Sequence, residues 1–398
     1  MSEPVVHELA AGRQGSIVAY RVSPNGPGLS AWRAVKIVYA NQSGKTSATK
    51  PHNILKEVLI LEKVSHPNVC LPSTRLRMSS ADEALYHQII QLENYGFSPS
   101  SKEHQLLLPL LSLPLSDLHA LPLDPDITRS LSFQLLLALA HLHSLGIAHR
   151  DVNPSNLMID DAGRLKVVDF GMAWMTSDDT DLGEEWKEGK DDMCCQVGTR
   201  TYRAPELLFG PRVYDACAID LWAAGCVLAE FFTPLSKDEA LEADYDELEG
   251  ARAEVRRQHL FDDSFGELGL AASVFQLFGT PTVTSWPDFH ALPDAGKIQF
   301  QSSLPKALST VLETQNCDGQ FVDLLESLLQ LSPGRRMSAV RALRHPYCQH
   351  GIVMPTKAEV WYGVGQDRRV VGQPISGGLR EFMREELDAV SRRFEGME

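Results

Sequence analysis

Three short motifs stand in a fixed order in the middle of the chain: HRDVNPSN at 149–156, DFG at 169–171 and APE at 204–206. Any one such tripeptide turns up by chance in about one chain in 20 of this length, so each alone is weak. Together, in this order, they leave very little freedom in what the chain can fold into. The pattern around them is strands first and helices afterwards. SIVAYRV (16–22) and AWRAVKIVYA (31–40) read as strands about the turn SPNGPG (23–28). Residues 53–64 repeat apolar side chains at helical spacing, with Ile54, Val58 and Leu61 on one face beside Leu55 and Leu59. Residues 126–145 form the clearest helix, with Asp126 as the expected N-cap and Gly146 as the stop. A strand is expected over 165–169. Residues 216–232 are apolar nearly all round, which predicts a buried helix. The expected class is α+β, with a small strand-rich N-terminal region and a larger helical C-terminal one.

Composition narrows the function. Of 398 residues, 37 are Lys or Arg and 52 are Asp or Glu, a net charge of −15. That balance argues against a general nucleic-acid binder, which carries a basic footprint. Two segments hold most of the excess. Residues 177–192 contain eight acids and two lysines, and 236–258 contain eight acids and four bases, so together they carry −10. Both read as insertions, the second as a solvated helix with docking as a lesser alternative. Seven cysteines without zinc spacing, no signal-peptide pattern and no apolar run long enough for a membrane span point to a reducing, intracellular setting, nucleus or cytoplasm. A further amphipathic helix is expected at 379–394.

The three motifs, over roughly residues 5–350, resemble a eukaryotic protein kinase. That resemblance implies a bilobal fold: an N-lobe over 1–110, a hinge at 111–115, a C-lobe over 116–350 and a tail over 351–398. It implies ATP and Mg²⁺ as cofactors. Asp151 would accept or orient the proton of the substrate hydroxyl, and Asn156 and Asp169 would hold Mg²⁺, a hard cation that favours oxygen ligands. Lys36, in AVK at 34–36, would pair the ATP phosphates with Glu57. Ala34 and Ile17 would line the nucleotide site. The glycine-loop pattern falls on 10–15, with Ala10 in place of the first glycine and Gly12 and Gly15 retained. Thr199 beside the catalytic loop favours Ser/Thr over Tyr acceptors. Pro109 and Pro114 are unusual at the expected hinge, and proline removes an N–H that adenine commonly uses.

Residues 197–232 and 274–300 are similar to the cyclin-dependent kinase-like (CMGC) group, with YRAPELLFG nearest to the kinases that activate cyclin-dependent kinases, and to cell-cycle-related kinase. The resemblance makes protein substrates, other kinases among them, the expected partners. In this group Arg203 shapes the pocket beside the acceptor, Asp220 anchors the catalytic loop and Glu206 pairs with Arg336.

Four departures bear on activity. Asn153 replaces a lysine that places positive charge on the transferring phosphate. The place of the activating phosphothreonine falls on Cys194, and an arginine of its phosphate pocket is Trp174; Arg150 and Lys56 remain. Acids from 177–192 could stand in for the missing phosphate, the alternative being a solvated acidic loop. Arg13 and Gln14 replace an inhibitory Thr-Tyr pair. The residues before Glu57 carry no recognisable cyclin-binding signature, so a cyclin stays open without being indicated. Fungal single-subunit activating kinases share the degraded glycine loop and the missing phosphosite. The expectation is an active Ser/Thr kinase. The alternative, a pseudokinase scaffold, is favoured by Asn153 and Ala10 and opposed by the retention of Lys36, Glu57, Asp151, Asn156 and Asp169.

Overall fold

In the computed structural model, which describes residues 6–12, 15–21, 32–39, 53–65, 88–111, 113–119, 123, 125–160, 163–176, 188–237, 255–313 and 317–349, the first strands pair as their alternation requires. β1 (Val6–Gly12), β2 (Gly15–Arg21) and β3 (Trp32–Tyr39) are followed by helix α1 (Ile54–Ser65), then β4 (Asn94–Ser98) and β5 (Glu103–Pro109). The five strands form one antiparallel sheet in the order β1-β2-β3-β5-β4. In register, Lys36 lies between Ile17 and Leu106, and Ala34 between Ala19 and Leu108. Directly opposed residues share a face, so Ile17, Ala19, Ala34, Lys36, Leu106 and Leu108 all project to one side. Ala19, Ala34, Val38 and Leu106 are buried there.

Helix α1 turns Ile54, Val58, Ile60 and Leu61 into the core. Its N-terminus is capped by Asn53, whose Oδ1 accepts from the amides of Leu55 and Lys56 at 2.9 and 3.2 Å. The Asn53 amide donates to the carbonyl of Gly171 at 2.9 Å, tying α1 to the DFG motif.

The C-terminal region begins where the short strand β6 (Leu113–Pro114) pairs with β8, so the chain crosses between the two regions after Pro109. Then come α2 (Leu115–His119), α3 (Pro125–Ser144), β7 (Ile147–Ala148), β8 (Leu157–Ile159), β9 (Leu165–Val167) and β10 (Trp174–Met175). The remaining elements are α4 (Ala216–Ala229), β11 (Leu235–Lys237), β12 (Val255–Arg257), α5 (Gly266–Phe278), α6 (Gly319–Leu328) and α7 (Ala339–Ala342). Strands β6, β8 and β9 form a small sheet, and β10 pairs with β7. Helix α4 is buried around almost its whole circumference, as its composition demands, and Trp222 at its centre is fully enclosed.

Three sequence expectations are corrected. Asp126 does not cap α3 but lies in its first turn, because Pro125, with φ preset for a helix, takes the first position. The strand expected over 165–169 ends at Val167, and Asp169 follows it in the left-handed region at φ 62°. The ends of the acidic insertion at 236–258 are paired strands, β11 on β12, rather than helix. Arg257 fixes that pair by donating to the carbonyl oxygens of Thr233 at 2.6 Å and His119 at 3.2 Å. The turn at 23–28, Arg13, Gln14 and the helix proposed at 379–394 lie outside the described residues.

Candidate active site

The N-terminal half of the site is an ion triad. Lys36 Nζ donates to Glu57 Oε1 and Oε2 at 3.1 and 2.8 Å and to Asp169 Oδ1 at 2.7 Å. Strand β3 delivers the lysine, α1 the glutamate and the turn after β9 the aspartate. Burial alone would lower the ammonium's pKa, but the carboxylates of Asp169 and Glu57 outweigh it and hold the group well above the ordinary lysine value. Lys36 is therefore a fixed cation, aimed along the sheet face that also carries Ile17 and Ala34. Gly15 is required at its place: at φ 143°, a Cβ there would lie 1.9 Å from the carbonyl oxygen of Ile37. Gly12 pairs with Gly15 at the end of the hairpin, and Ala10 sits within β1 opposite Ile17. A side chain is ordinary in such an extended position. A cavity of about 480 Å³ opens on the other face of the sheet, lined by Val18, Tyr20, Val35, Ile37 and Leu107 among others, and is separate from this site.

The other half is the loop after β7. Asp151 accepts from Thr199 Oγ1 at 2.6 Å, from Asn153 Nδ2 at 3.2 Å and from Asn156 Nδ2 at 3.0 Å. Asn153 also donates to the Asp151 carbonyl at 3.0 Å, and its own oxygen caps the turn 154–156 by accepting from the amides of Ser155 and Asn156. The amide that replaces lysine is thus a scaffold for the loop. The Asn156 NH₂ is spent on Asp151, which leaves its oxygen for a cation. Among the described residues no group of three His, Cys, Asp or Glu could hold a metal. A cation would rest on Asn156, Asp169 and oxygens brought by a phosphate, which suits a hard ion that keeps few protein ligands.

The core holds this loop from behind. Asp220, fully buried on α4, accepts from the backbone amides of His149 at 2.8 Å and Arg150 at 2.7 Å, and its carboxylate meets His143 Nε2 at 3.0 Å. His149 packs edge-on against the buried ring of Phe170, with centroids 4.9 Å apart, and bonds the Val168 carbonyl at 3.0 Å. Downstream, Arg203 donates to the carbonyls of Val197 at 3.1 Å and Cys195 at 3.0 Å and pairs with Glu267 at 2.5 Å. Glu206 and Arg336 form a buried bidentate pair at 2.7 and 2.6 Å.

The residues expected in the catalytic, nucleotide and metal roles fall into two groups: Gly12, Gly15, Ile17, Ala34, Lys36 and Glu57 on the first sheet and α1, and Asp151, Asn153, Asn156 and Thr199 around the loop after β7, with Asp169 bridging to Lys36. Sequence reasoning missed His143, Tyr214 and Glu267. His143 stands two residues from another histidine, His141, on the same helix and carries no local mark of its partner.

A strand-rich lobe presenting a Lys–Glu pair, joined to a helical lobe whose buried helix anchors an HRD loop, defines a protein kinase domain. Residues 29–348 match the protein kinase domain family, and the chain belongs to it. It is 36% identical over 228 residues to cyclin-dependent kinase 20 of Rattus norvegicus and of Mus musculus, covering 57% of this chain and 55% of each relative. It is 32% identical over 296 residues to the serine/threonine-protein kinase ppk23 of Schizosaccharomyces pombe, covering 73% of this chain and 65% of that protein. The chain thus spans little more than half the length of the first of these relatives. Among the described residues, no helix is long and apolar enough to cross a membrane.

Proposed function

We propose that this chain transfers the γ-phosphoryl group of ATP to serine or threonine hydroxyls of protein substrates. One observation carries the reading: Asp151 is held by Thr199, Asn153 and Asn156 in a loop anchored to the core, while Lys36 is locked between Glu57 and Asp169. Phosphoryl transfer needs positioning and charge neutralisation far more than covalent chemistry. Lys36 would neutralise nucleotide phosphates, with Glu57 fixing its direction. Asp151 would orient the incoming hydroxyl and receive its proton. Asn156 and Asp169 would hold Mg²⁺, which when bound supplies charge neutralisation on the phosphate oxygens. Asn153 keeps Asp151 and Asn156 in register, so the loss of a lysine at that position weakens electrostatic stabilisation without dismantling the loop.

The substrates we assign are other protein kinases of the cyclin-dependent type. The similarity of 197–232 to the activating kinases supports that class. Arg203 engages the Val197 carbonyl, which removes an acceptor for the residue after the phosphorylated one and suits a proline, the residue with no N–H to satisfy.

The test is transfer of labelled γ-phosphate from Mg-ATP to a folded cyclin-dependent kinase, with the single chain expressed in bacteria and Asp151→Asn as control. Transfer abolished by that change supports the reading. No transfer to this or any Ser/Thr peptide library would overturn it in favour of a scaffold.

A further inference from the structure

Cys194 lies where a phosphorylated threonine would organise the segment between DFG and APE, yet its surroundings are fully built. Arg150, with its side chain completely enclosed, donates from Nη1 and Nη2 to the two carboxylate oxygens of Glu188 at 2.6 and 2.8 Å. Lys56 Nζ, from α1, stands 3.8 Å from Glu188 Oε2. The backbone amide of Cys194 donates to Glu188 Oε1 at 2.6 Å. Trp174 Nε1 donates to the Glu188 carbonyl at 3.2 Å, so the residue that displaced a basic side chain now holds the backbone of the acid. Tyr214 closes the ring: it accepts from Arg150 Nη1 at 3.0 Å and donates to the Cys194 carbonyl at 2.7 Å.

This one carboxylate thus joins α1 of the first lobe, the residue next to Asp151, and the segment that leads to Thr199. We propose that Glu188 is a positioning residue for phosphoryl transfer: it occupies the place of an activating phosphate and keeps the segment ordered without modification. The inference rests on the kinase reading and assigns its regulation. Two cations facing one carboxylate, all nearly buried, make the acid hard to lose, because truncating one partner of such a cluster strands a desolvated charge. Burial alone would raise the Glu188 pKa, but the hydrogen bonds and charge of Arg150 outweigh it and hold the carboxyl below its usual value. Burial pushes the Tyr214 phenol up to about 12, which keeps it a donor at neutral pH. The carboxylate is therefore permanently charged where a phosphate would be switched on and off.

The experiment uses the full chain from bacteria, its intact mass read before and after phosphatase treatment. The wild type, Glu188→Gln and Glu188→Asp are compared by kcat, by KM for ATP and by amide hydrogen exchange over 188–200. Phosphatase treatment is expected to leave the wild type unchanged. Glu188→Gln is expected to lose at least about tenfold in kcat, the equivalent of about 1.4 kcal/mol, with KM for ATP nearly unchanged and faster exchange at Cys194. Glu188→Asp, which keeps the charge, should recover part of both. Wild-type kcat and exchange in Glu188→Gln would overturn the proposal, as would loss of wild-type activity on phosphatase treatment. If the wild type transfers no phosphate, the kinase reading fails on its own, and exchange still decides whether Glu188 anchors the segment.

Discussion

The substitution Asp220→Asn measures how far the core of the large lobe sets the catalytic loop. The Asp220 carboxylate accepts three hydrogen bonds with no exposure to water: the Arg150 amide on Oδ1, and the His149 amide and His143 Nε2 on Oδ2. A carboxamide offers one oxygen. It can serve one backbone amide only by turning its NH₂ against the other. At least one charge-assisted bond is then lost, about 1.5–3 kcal/mol, and a buried donor faces a donor, so the expected destabilisation is about 2–4 kcal/mol. At roughly 2 °C per kcal/mol, Tm should fall by about 4–8 °C. Arg150 sits at φ 62°, a conformation that bulky residues hold only under constraint. Releasing its amide lets that strain relax beside Asp151, so kcat per folded molecule should also drop, by about tenfold or more. The same chemical change at Asp215 is the control. Asp215 caps the same helix through one oxygen, which accepts from the amides of Cys217 and Ala218 at 2.9 and 3.0 Å. Asparagine caps as well as aspartate, so Asp215→Asn should leave Tm and kcat near wild type. Chemical denaturation and steady-state kinetics of the two variants decide the matter. Equal losses in both, or a loss below about 1 kcal/mol in Asp220→Asn, would mean that the Asp220 carboxylate does not set the loop.

Three further outcomes are expected. Glu206→Gln breaks a pair with both side chains essentially buried and leaves the Arg336 charge uncompensated, so unfolding free energy should fall by about 3–5 kcal/mol, read by denaturant titration. Thr199→Val removes the 2.6 Å bond to Asp151 and should lower kcat by about 10- to 100-fold, the range of a charge-assisted bond, while Thr199→Ser keeps most of the activity; equal rates for Val and Ser would discount the hydroxyl. His259 hydrogen-bonds Glu230, which raises its pKa against an opposing effect of burial, with Asp263 adding to the rise and Arg200 opposing it. The stabilisation is complete below about pH 6.5, the free imidazole value, and is lost as pH rises through the higher folded value. The Tm advantage of wild type over His259→Gln should therefore be larger at acid pH and vanish in alkaline buffer.

What was legible in the sequence was what chemistry or periodicity states locally. The HRD loop, DFG and the lysine of AVK could be placed because each role demands one residue type, and α4 because it is apolar on every side. Glu57 followed only from the resemblance to kinases, by its place on the helix just before HPNV; alone it reads as an exposed helix acid. Glu188 was not legible as an individual. It is one of eight acids in a 16-residue stretch, and what selects it is tertiary: β10 pairs with β7 and brings Trp174 to its backbone, while Arg150 is turned toward its carboxylate. The paired ends of the 236–258 insertion escaped notice for a similar reason. Their charged residues read as solvated helix, yet Arg257 is fixed by the carbonyl of His119 in α2, far away in sequence, and by that of Thr233 between α4 and β11. Local pattern also misplaced the start of α3, where Pro125 outcompetes the cap that Asp126 would have made.

The three residues His149, Arg150 and Asp151 show why the loop holds its geometry. Each is secured by a different part of the chain: His149 by Val168 and Phe170, Arg150 by Glu188 and Met172, Asp151 by Thr199 and the asparagines that follow it. Asp220 then binds the backbone amides of the first two together. A left-handed arginine strains the chain by roughly 1–3 kcal/mol and persists only where its surroundings over-determine it. Here that strain lets successive side chains leave the loop in divergent directions, toward the core, the acidic segment and the reacting centre. A defect in any one tether would thus reach Asp151 through the backbone over one or two residues. On this geometry the acid at 188 and the aspartate of α4 share Arg150, the first holding its guanidinium and the second its backbone amide. Their effects on kcat should therefore be non-additive in the double variant, because residues sharing a partner couple. Additive losses would mean that segment and core steer the loop independently.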